Sequence, residues 1–243
     1  MKGTISLSSV LEAHHQQGIS IMHLIIIAFS FLLASPLFAN DALLLKVRDK
    51  VRTIKDFRAE AVITLNVEFL KAKPSEATIL YKAPGRLKVK SEGFSMLPKQ
   101  GAGLPFAALL ESPFTSVDLP DENIKGIVYK VKKVIPIADT GQIIVATVWI
   151  DSKKELIGKM SAVTKGGTII MDMNYEKQFE RYALPSSIFM SFDVPAFSLP
   201  KSMTGDLLAE KKKGGEKKNT KGSAQIAYTN IIVNKGITED QFR

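Results

Sequence analysis

A period of two in the hydrophobic pattern constrains this chain more than any other feature of its sequence. Apolar and polar residues alternate over residues 59–69, and the alternation returns over residues 77–81 and 87–89. Because successive side chains of a strand point to opposite faces of a sheet, each segment predicts a strand with one buried face. The Ala-Pro-Gly sequence at residues 83–85 is a turn signal between the last two segments. We therefore predict an antiparallel meander in this part of the chain.

Strand signals continue through the C-terminal half of the sequence. We predict strands at residues 126–135, 142–150, 156–164, 168–179, 186–194 and 224–233. The links at residues 139–141, 151–154 and 165–167 are short and turn-forming, so consecutive strands are expected to pair as hairpins. With about nine strands in all, the chain is predicted to be mainly β and to form one large curved antiparallel sheet.

Helical spacing replaces the period of two ahead of the first strand. The apolar residues that follow this spacing within residues 40–57 are Leu43, Leu44, Val47, Val51 and Ile54. Asn40 and Asp41 precede them and are favourable residues for a helix N-cap. We predict an amphipathic N-terminal helix.

An apolar run near the N-terminus is typical of an export signal. Residues 24–33 are apolar apart from one serine, and a proline and the small residue Ala39 follow. Because the run is shorter than the ~20 residues of a membrane-spanning helix, we predict a signal peptide over residues 1–39, cut after Ala39. An uncleaved anchor is the alternative, and Met22 is an alternative start. The mature chain is expected to be exported and soluble, as a single domain of residues 40–243.

The positions of cysteine and histidine limit the chemistry of the mature chain. The sequence has no Cys, and its three histidines, His14, His15 and His23, all precede the predicted cleavage site. Disulfides, thiol nucleophiles, histidine-based catalysis and His- or Cys-ligated metals are thus excluded for residues 40–243. Phosphate-binding glycine loops and metal motifs are also absent from the sequence. We predict no catalytic residue, no metal and no cofactor, and therefore a protein that is not an enzyme.

Two irregular apolar segments interrupt the predicted strands. Residues 94–116 contain several Pro and Gly but are too apolar for an ordinary surface loop. Pro105 is well placed to open a short helix that runs to Glu111. We expect this segment to fold back over an apolar surface. The second segment, an insert at about residues 195–222, combines apolar residues with a lysine tract.

The lysine tract is a candidate for transient contact with an anionic membrane. Residues 210–222 contain six Lys against two Glu. Apolar residues beside such a tract suit attraction to anionic lipid headgroups, and a solvated loop is the alternative. Nucleic acid is not an expected partner, because no aromatic residues interleave with the lysines. The candidate membrane contacts are Lys211, Lys212, Lys213, Lys217 and Lys218.

Several stretches of the chain follow one another in the order of a known family. These stretches are residues 54–59, 79–89, 104–110, 148–151, 156–157 and 233–242. In their sum the chain resembles the LolA/LolB family of periplasmic outer-membrane lipoprotein carriers. The resemblance implies a half-barrel, an unclosed antiparallel β-barrel with the N-terminal helix and short helical lid segments over an apolar cavity. It also implies a monomeric periplasmic carrier that ferries acyl chains of lipoproteins, or related lipids, from an inner-membrane donor transporter to an outer-membrane acceptor.

The resemblance further implies where the cargo would bind. The candidate cavity-lining residues are Ile63, Leu65, Val67, Phe69, Ile79, Tyr81, Leu87 and Val89. The candidate lid residues are Leu104, Phe106, Leu109 and Leu110. Ordinary core packing is the alternative for each single inward residue of the sheet, and Trp149 is expected in the core.

The chain departs from the family at the turn of residues 83–85. In the best-known carriers an arginine directly before the turn proline helps to latch the lid, whereas this chain has Ala83 there. The nearest basic residues are Lys82 and Arg86. An envelope sensor or scaffold module, with the same half-barrel binding a lipid signal or a partner protein, is the alternative function.

The lysine tract generates a first prediction. Deleting residues 211–221 should weaken binding to anionic vesicles and flatten its salt dependence, because the deletion removes charges that attract lipid headgroups. Lipid affinity in solution should not change. Vesicle sedimentation at low and high salt measures both effects, and unchanged binding at low salt would favour the solvated loop.

Overall fold

The computed structural model describes residues 41–67, 70–71, 73–91, 106–137, 143–195 and 219–242. The predicted signal peptide of residues 1–39, Phe69, Leu104 and the five candidate lysines of the insert lie outside the described residues. Within the described ranges, no helix has the length and apolar character needed to cross a membrane.

Two α-helices and eleven strands make up the described part of the chain. The helices are α1 (Ala42–Arg52) and α2 (Ala107–Glu111). The strands are β1 (Asp56–Val67), β2 (Leu70–Lys71), β3 (Ser75–Lys82), β4 (Arg86–Ser91), β5 (Phe114–Ile124), β6 (Ile127–Pro136), β7 (Ile143–Asp151), β8 (Leu156–Thr164), β9 (Gly167–Asn174), β10 (Ser187–Pro195) and β11 (Asn219–Val233). Short 3-10 helices lie at Lys177–Tyr182 and Glu239–Phe242.

All eleven strands belong to one sheet that is not closed. The strand order is β4-β3-β1-β11-β10-β9-β8-β7-β6-β5, with β2 beside β1, and every pairing is antiparallel. β4 and β5 are the edges of this order, and no ladder joins them within the described residues. The predicted fold class, a mainly β, unclosed antiparallel half-barrel, is confirmed.

The alternation that predicted β1 matches its burial. Phe57, Ala59, Ala61 and Ile63 are buried, whereas the residues between them are exposed. The buried side chains define the inner face of the sheet, and they belong to one apolar cluster that also includes residues of α1 and α2. Each large side chain of this kind contributes roughly 1.5–3 kcal/mol on burial. The core therefore lies between the inner face and the two helices.

Helix α1 forms where the helical spacing predicts it. Asp41 is the N-cap, and its Oδ1 accepts hydrogen bonds from the backbone N–H groups of Leu43 (3.0 Å) and Leu44 (3.1 Å). These bonds satisfy two of the backbone donors that a helix N-terminus leaves unpaired. Leu44, Val47 and Val51 form the buried face. The prediction of an amphipathic N-terminal helix is confirmed, with its end at Arg52.

Strand β5 is an element that the sequence pattern did not predict. The structure places this edge strand at Phe114–Ile124, where we expected an irregular segment to residue 116 and the next strand only at residue 126. An edge strand has little apolar alternation to reveal it, and β5 contains Pro120 and a register shift between Leu119 and Glu122. Proline is tolerated at an edge because its missing N–H faces no neighbouring strand.

Two boundaries also differ from the prediction. β9 ends at Asn174, and the 3-10 helix Lys177–Tyr182 occupies residues that we assigned in part to the strand. β11 begins at Asn219, so the insert between β10 and β11 is shorter than residues 195–222. A deletion that tests the lysine tract without cutting β11 therefore ends at Lys218.

The C-terminal segment is fastened to the start of β1. The carboxylate of Asp56 accepts hydrogen bonds from the N–H groups of Lys235 and Gly236, each at 3.1 Å. The side chain of Asn234 accepts from Lys55 N–H at 2.7 Å and donates to the Thr53 carbonyl at 2.9 Å. This segment therefore adds polar contacts between the two ends of the described chain.

An ion cluster around the buried Asp41–Lys132 pair ties α1 to the β5–β6 edge of the sheet, and its third member, Asp118, is exposed. Lys132 pairs with Val148 of the core on the inner face, and its Nζ lies 2.5 Å from Oδ2 of the N-cap Asp41. Both side chains are 10% exposed. Lys132 also binds Asp118 of β5, and Ser116 Oγ donates to Asp41 Oδ2 at 3.3 Å. The two carboxylates outweigh the cost of burial and raise the pKa of Lys132, so it stays charged.

The ion cluster generates a second prediction. Lys132→Met should lower the free energy of unfolding by about 3 kcal/mol, because it leaves the buried carboxylate of Asp41 without its cation. Lys130→Met is the matched control, because Lys130 also lies on β6 and binds Asp121 at 2.6 Å, but both side chains are more than 40% exposed. The control should cost less than about 1 kcal/mol. Urea unfolding measures both, and equal costs would contradict the anchoring role of Lys132.

Candidate functional site

The inner face of the half-barrel is the candidate site, because it gathers apolar side chains from both ends of the chain. One row of this face runs across neighbouring strands in direct register. Its members are Leu65, Ala224, Met190, Met171, Met160 and Val148. Three large, flexible methionines are consecutive in the middle of this row, and smaller or branched residues lie on either side of them. Such a surface can adapt to apolar chains of different shape.

The seven predicted cavity-lining residues that the structure describes, all except Phe69, lie together on this inner face. Ile63, Val67 and Ile79 are buried, whereas Leu65, Tyr81, Leu87 and Val89 are half-buried and pack against the core cluster. Ile79 pairs with Val89, and Tyr81 pairs with Leu87. The stacked rings of Phe57 and Tyr81, with centroids 5.3 Å apart, lie in the same group. This placement suits both a cavity wall and ordinary packing, so the lining role stays a prediction.

Methionines of β8, β9 and β10 are inner-face residues that our sequence analysis did not single out. Met160, Met171 and Met190 are direct cross-strand neighbours, and each is at most 6% exposed. The alternation of Met171 and Met173 in the sequence was a signal for their shared face. Their pairing with one another depends on strand register, which the sequence alone does not reveal.

Burial on the inner face differs between the two ends of the sheet. We call the end where β10 stops at Pro195 and β11 starts at Asn219 the insert end. The inner residues near it that are only half-buried are Leu65, Phe114, Ile143, Ile169 and Phe192. At the opposite end, Phe57, Ile150 and Ile157 are at most 1% exposed. Over β7 to β10, the inner face is therefore less completely covered toward the insert end.

Gly222 shapes the inner face at the insert end. It pairs with Val67 on one side and with Phe192 on the other. A Cβ at this position would lie 2.6 Å from the ring of Phe192, so only glycine leaves space for the ring. The ring therefore lies across β11 without a side chain beneath it.

The short helix α2 supplies the predicted lid residues that the structure describes. A short helix through Glu111 was expected, and the helix Ala107–Glu111 confirms it. Pro105, which was expected to open it, lies outside the described residues. Phe106, Leu109 and Leu110 are at most 3% exposed and share one apolar cluster with α1. Their role as a lid stays a prediction, because the same contacts would form in a plain core.

An ion pair holds α2 against α1. Arg52 donates to both carboxylate oxygens of Glu111, through Nε at 3.0 and 3.2 Å and through Nη2 at 2.8 Å. This fork-like contact lowers the pKa of Glu111, with the Arg52 hydrogen bonds as the largest cause. The Arg52–Glu111 ion pair thus connects α2 to α1.

The basic residues around the turn of residues 83–85 have a different partner. Lys82 Nζ lies 2.6 Å and Arg86 Nη1 lies 2.8 Å from the carboxylate of Glu239 in the C-terminal 3-10 helix. Their hydrogen bonds lower the pKa of Glu239 to about 2. The Arg86 guanidinium also lies over the Phe242 ring, 4.7 Å from its centroid. These side chains therefore bind the C-terminal segment, and the contact between α2 and α1 comes from Arg52.

Trp149 does not lie in the core, so that expectation is wrong. It pairs with Val131 and Lys159 on the outer face of the sheet, and its side chain is half-buried. The Lys159 ammonium lies 4.8 Å from the centroid of its ring. The tryptophan follows the alternation of β7, in which the neighbouring Val148 and Ile150 take the inner positions. The size of a side chain is thus a poorer guide to its face than its parity along the strand.

Ionisable groups do not assemble into a metal site in the part of the chain that the structure describes. No group of three His, Cys, Asp or Glu side chains there could hold an ion. The buried titratable groups serve packing or ion pairing: Tyr175 Oη donates to the Ile157 carbonyl at 2.8 Å, and burial raises the pKa of Tyr175. Apart from Lys132 and its carboxylate partners beside Val148, the inner-face residues named above are apolar and offer a ligand apolar contact.

Comparison with known proteins supports the fold. No family model and no curated protein matches the chain by sequence. The chain is similar in structure to a DUF1329 family protein from Desulfovibrio piger, with a TM-score of 0.51 and 12% identity, over 86% of this chain and 98% of that one. It is also similar to the LolA superfamily protein NE2245 from Nitrosomonas europaea, with a TM-score of 0.53 and 11% identity, over 83% and 96% of the two chains. The resemblance to the LolA family is thus confirmed at the level of the fold.

The Arg52–Glu111 pair generates a third prediction. Glu111→Gln should speed amide hydrogen exchange in α2, including the Leu110 N–H that donates to the Phe106 carbonyl at 3.2 Å. The free energy of unfolding should fall by less than about 1 kcal/mol, because the two side chains are 48% and 44% exposed.

Asp49→Asn is the matched control for this experiment. Asp49 pairs with Arg48 within α1, at 3.0 Å, so its loss should leave exchange in α2 unchanged. Hydrogen exchange of the α2 peptides, followed by mass spectrometry, is compared between the two variants and the unmodified protein. Equal protection of α2 in Glu111→Gln and in the unmodified protein would show that the ion pair does not hold the helix.

Proposed function

We propose that this protein, whose fold is that of the LolA superfamily, is a periplasmic carrier that binds acyl chains of lipoproteins or related lipids on its inner face. The observation that supports the proposal most is the inner face itself, where a row of apolar residues from six strands includes three methionines in register. Likeness of fold to a LolA superfamily protein supports the same function.

The physical demand on such a carrier is the removal of acyl chains from water. Each buried methylene is worth ~0.8 kcal/mol, so a chain with ten exposed methylenes resists transfer through water by about 8 kcal/mol. A carrier meets this demand with apolar area alone. The methionine row suits the task, because unbranched thioether side chains repack around ligands of different length at low cost.

The site in this proposal consists of a wall and a lid. The wall comprises the predicted lining residues together with Met160, Met171 and Met190, and acyl chains enter toward the insert end, where the inner residues are half-buried. Helix α2 is the described part of the lid. The Arg52–Glu111 pair is exposed to water, so it opens at a modest free-energy cost. Movement of the helix also requires Phe106, Leu109 and Leu110 to leave the core cluster, which the binding of acyl chains has to offset.

The partners in this proposal follow from the chemistry of the cargo. A monomeric carrier receives its acyl chains from an inner-membrane donor transporter and delivers them to an outer-membrane acceptor. Because the carrier only binds and releases, the direction of transfer comes from graded affinities along the route, with any energy supplied by the donor. No chemical step on the cargo is required of the carrier.

Substitution of one inner residue tests the proposal. Leu65→Gln should lower the affinity for a fluorescent diacylated lipopeptide by about tenfold, because it places an amide without hydrogen-bond partners against the acyl chains. Leu65 is half-buried on the inner face and lies at the less covered end, so the fold should tolerate the change. Fluorescence titration measures the affinity, and circular dichroism checks the fold.

The adjacent residue of the same strand provides the control. Thr64 is exposed on the outer face, so Thr64→Gln should leave lipopeptide affinity unchanged. Equal affinities of the Leu65 and Thr64 variants would contradict an inner-face site. A protein with no lipopeptide affinity at all would favour the alternative of a sensor or scaffold module that binds a partner protein.

A further inference from the structure

An apolar patch occupies the outer face of the sheet at the insert end. We call it the outer patch, and it consists of Val117, Ile135, Ile137, Ile144 and Val163. Their exposed fractions run from 38% to 57%. Single exposed apolar residues are common on protein surfaces, but a contiguous group of branched aliphatics is not.

Strand register makes the members of the outer patch neighbours. Val117 pairs with Lys133 and is the diagonal neighbour of Ile135 across the β5–β6 ladder. Ile135 follows Val134, which pairs with Ala146, so Ile135 lies beside Val145, the direct partner of Val163. Ile137 continues the outward parity of Ile135, and its N–H donates to the Pro113 carbonyl at 2.9 Å. Ile144 follows Ile143, which packs on the core, and therefore points away from the core.

The charge around the outer patch is positive. Lys133 pairs with Val117 and lies between β5 and β7 on the outer face, and Lys165 follows β8 at the insert end. Among the described outward residues of β5 to β8 at this end, none is acidic. Asp118 is next to Val117 but belongs to the opposite face, where it binds Lys132.

The sequence between β10 and β11 is rich in lysine. In the described ends of these two strands, Lys221 lies 4.0 Å from Asp193. The insert that joins β10 to β11 leaves and re-enters the sheet at this end, and residues 210–222 contain six Lys against two Glu. The whole chain has a net charge of +9. Apolar side chains and cations at one end are the two components by which proteins bind the interface of an anionic bilayer.

We propose that the outer patch docks on the surface of an anionic lipid bilayer, with its aliphatic side chains in the interfacial region and Lys133 and Lys165 beside the headgroups. We favour a bilayer over a protein as the binding partner. The charged side chains beside the outer patch are all basic, and the apolar side chains of the patch are all aliphatic. Protein interfaces are instead enriched in aromatic residues. Docking in this way directs the insert end toward the membrane, and with it the half-buried inner residues.

Vesicle sedimentation with paired variants tests this proposal. The probe is the mature chain with vesicles of phosphatidylglycerol and phosphatidylethanolamine, compared with vesicles of phosphatidylcholine alone. The double substitution Ile144→Gln and Val163→Thr should lower partitioning onto the anionic vesicles by about tenfold, because it removes apolar area that the interface buries. The unmodified protein should prefer the anionic vesicles and should lose binding as salt rises.

The control pair has similar exposure but lies on another part of the outer face. Val62 of β1 is 40% exposed and Ile232 of β11 is 48% exposed, compared with 41% for Val163 and 53% for Ile144. Val62→Thr with Ile232→Gln should leave partitioning unchanged. Lipopeptide affinity in solution should also be unchanged in both double variants. Vesicle partitioning therefore reports on membrane docking, and lipopeptide affinity reports separately on the carrier function.

Three results would overturn the proposal. One is equal partitioning of the outer-patch variant and the control variant. Another is binding that does not distinguish anionic from phosphatidylcholine vesicles, because the lysines would then have no role. The third is a protein that does not bind vesicles but forms a dimer, with the dimer lost in the outer-patch variant. This result would identify a second copy of this chain as the partner of the outer patch.

Discussion

The antiparallel ladder between β1 and β11 is the constraint on which the rest of this structure depends. It pairs the first long strand of the domain with the last, from Phe57 opposite Val233 to Val67 opposite Gly222. Because this ladder unites the β3–β4 hairpin with the meander from β5 to β11, it converts two separate sheets into one. The edges β4 and β5 are then left at opposite ends of the strand order. A sheet curved in this way has an inner face that strands alone do not cover.

Cover for that inner face comes from helices held by polar contacts at their ends. The N-cap Asp41 is both the start of α1 and the partner of Lys132 on the sheet, so helix formation and docking depend on one carboxylate. Helix α2 is attached through Arg52 and Glu111 in water. The two attachments differ in kind: a buried pair is costly to break, whereas an exposed pair opens readily. In the proposed function, α2 moves as a lid only when Phe106, Leu109 and Leu110 also leave the core cluster.

The periodic segments of the sequence could be predicted from their own pattern. Elements that depend on partners distant in the chain could not. β1 and α1 each carry an apolar stripe of the correct period, so local pattern and fold agree. β5 is an edge strand with charged residues and a proline, and its pairing with β6 alone makes it a strand. The Asp41–Lys132 contact joins residues far apart in the chain, and no local pattern encodes it. The same holds for the candidate site: alternation predicted which residues face inward, but the methionine row arises only from register.

The central claim is that acyl chains occupy the inner face, and the lipid content of the protein tests it most directly. The measurement is native mass spectrometry, with lipid extraction, of the full-length protein expressed with its N-terminal segment and purified from the periplasm without detergent. The account predicts bound species that carry acyl chains, displaced by added diacylated lipopeptide. Protein that carries no lipid and takes up no lipopeptide would contradict the account and would leave the inner face as an ordinary core.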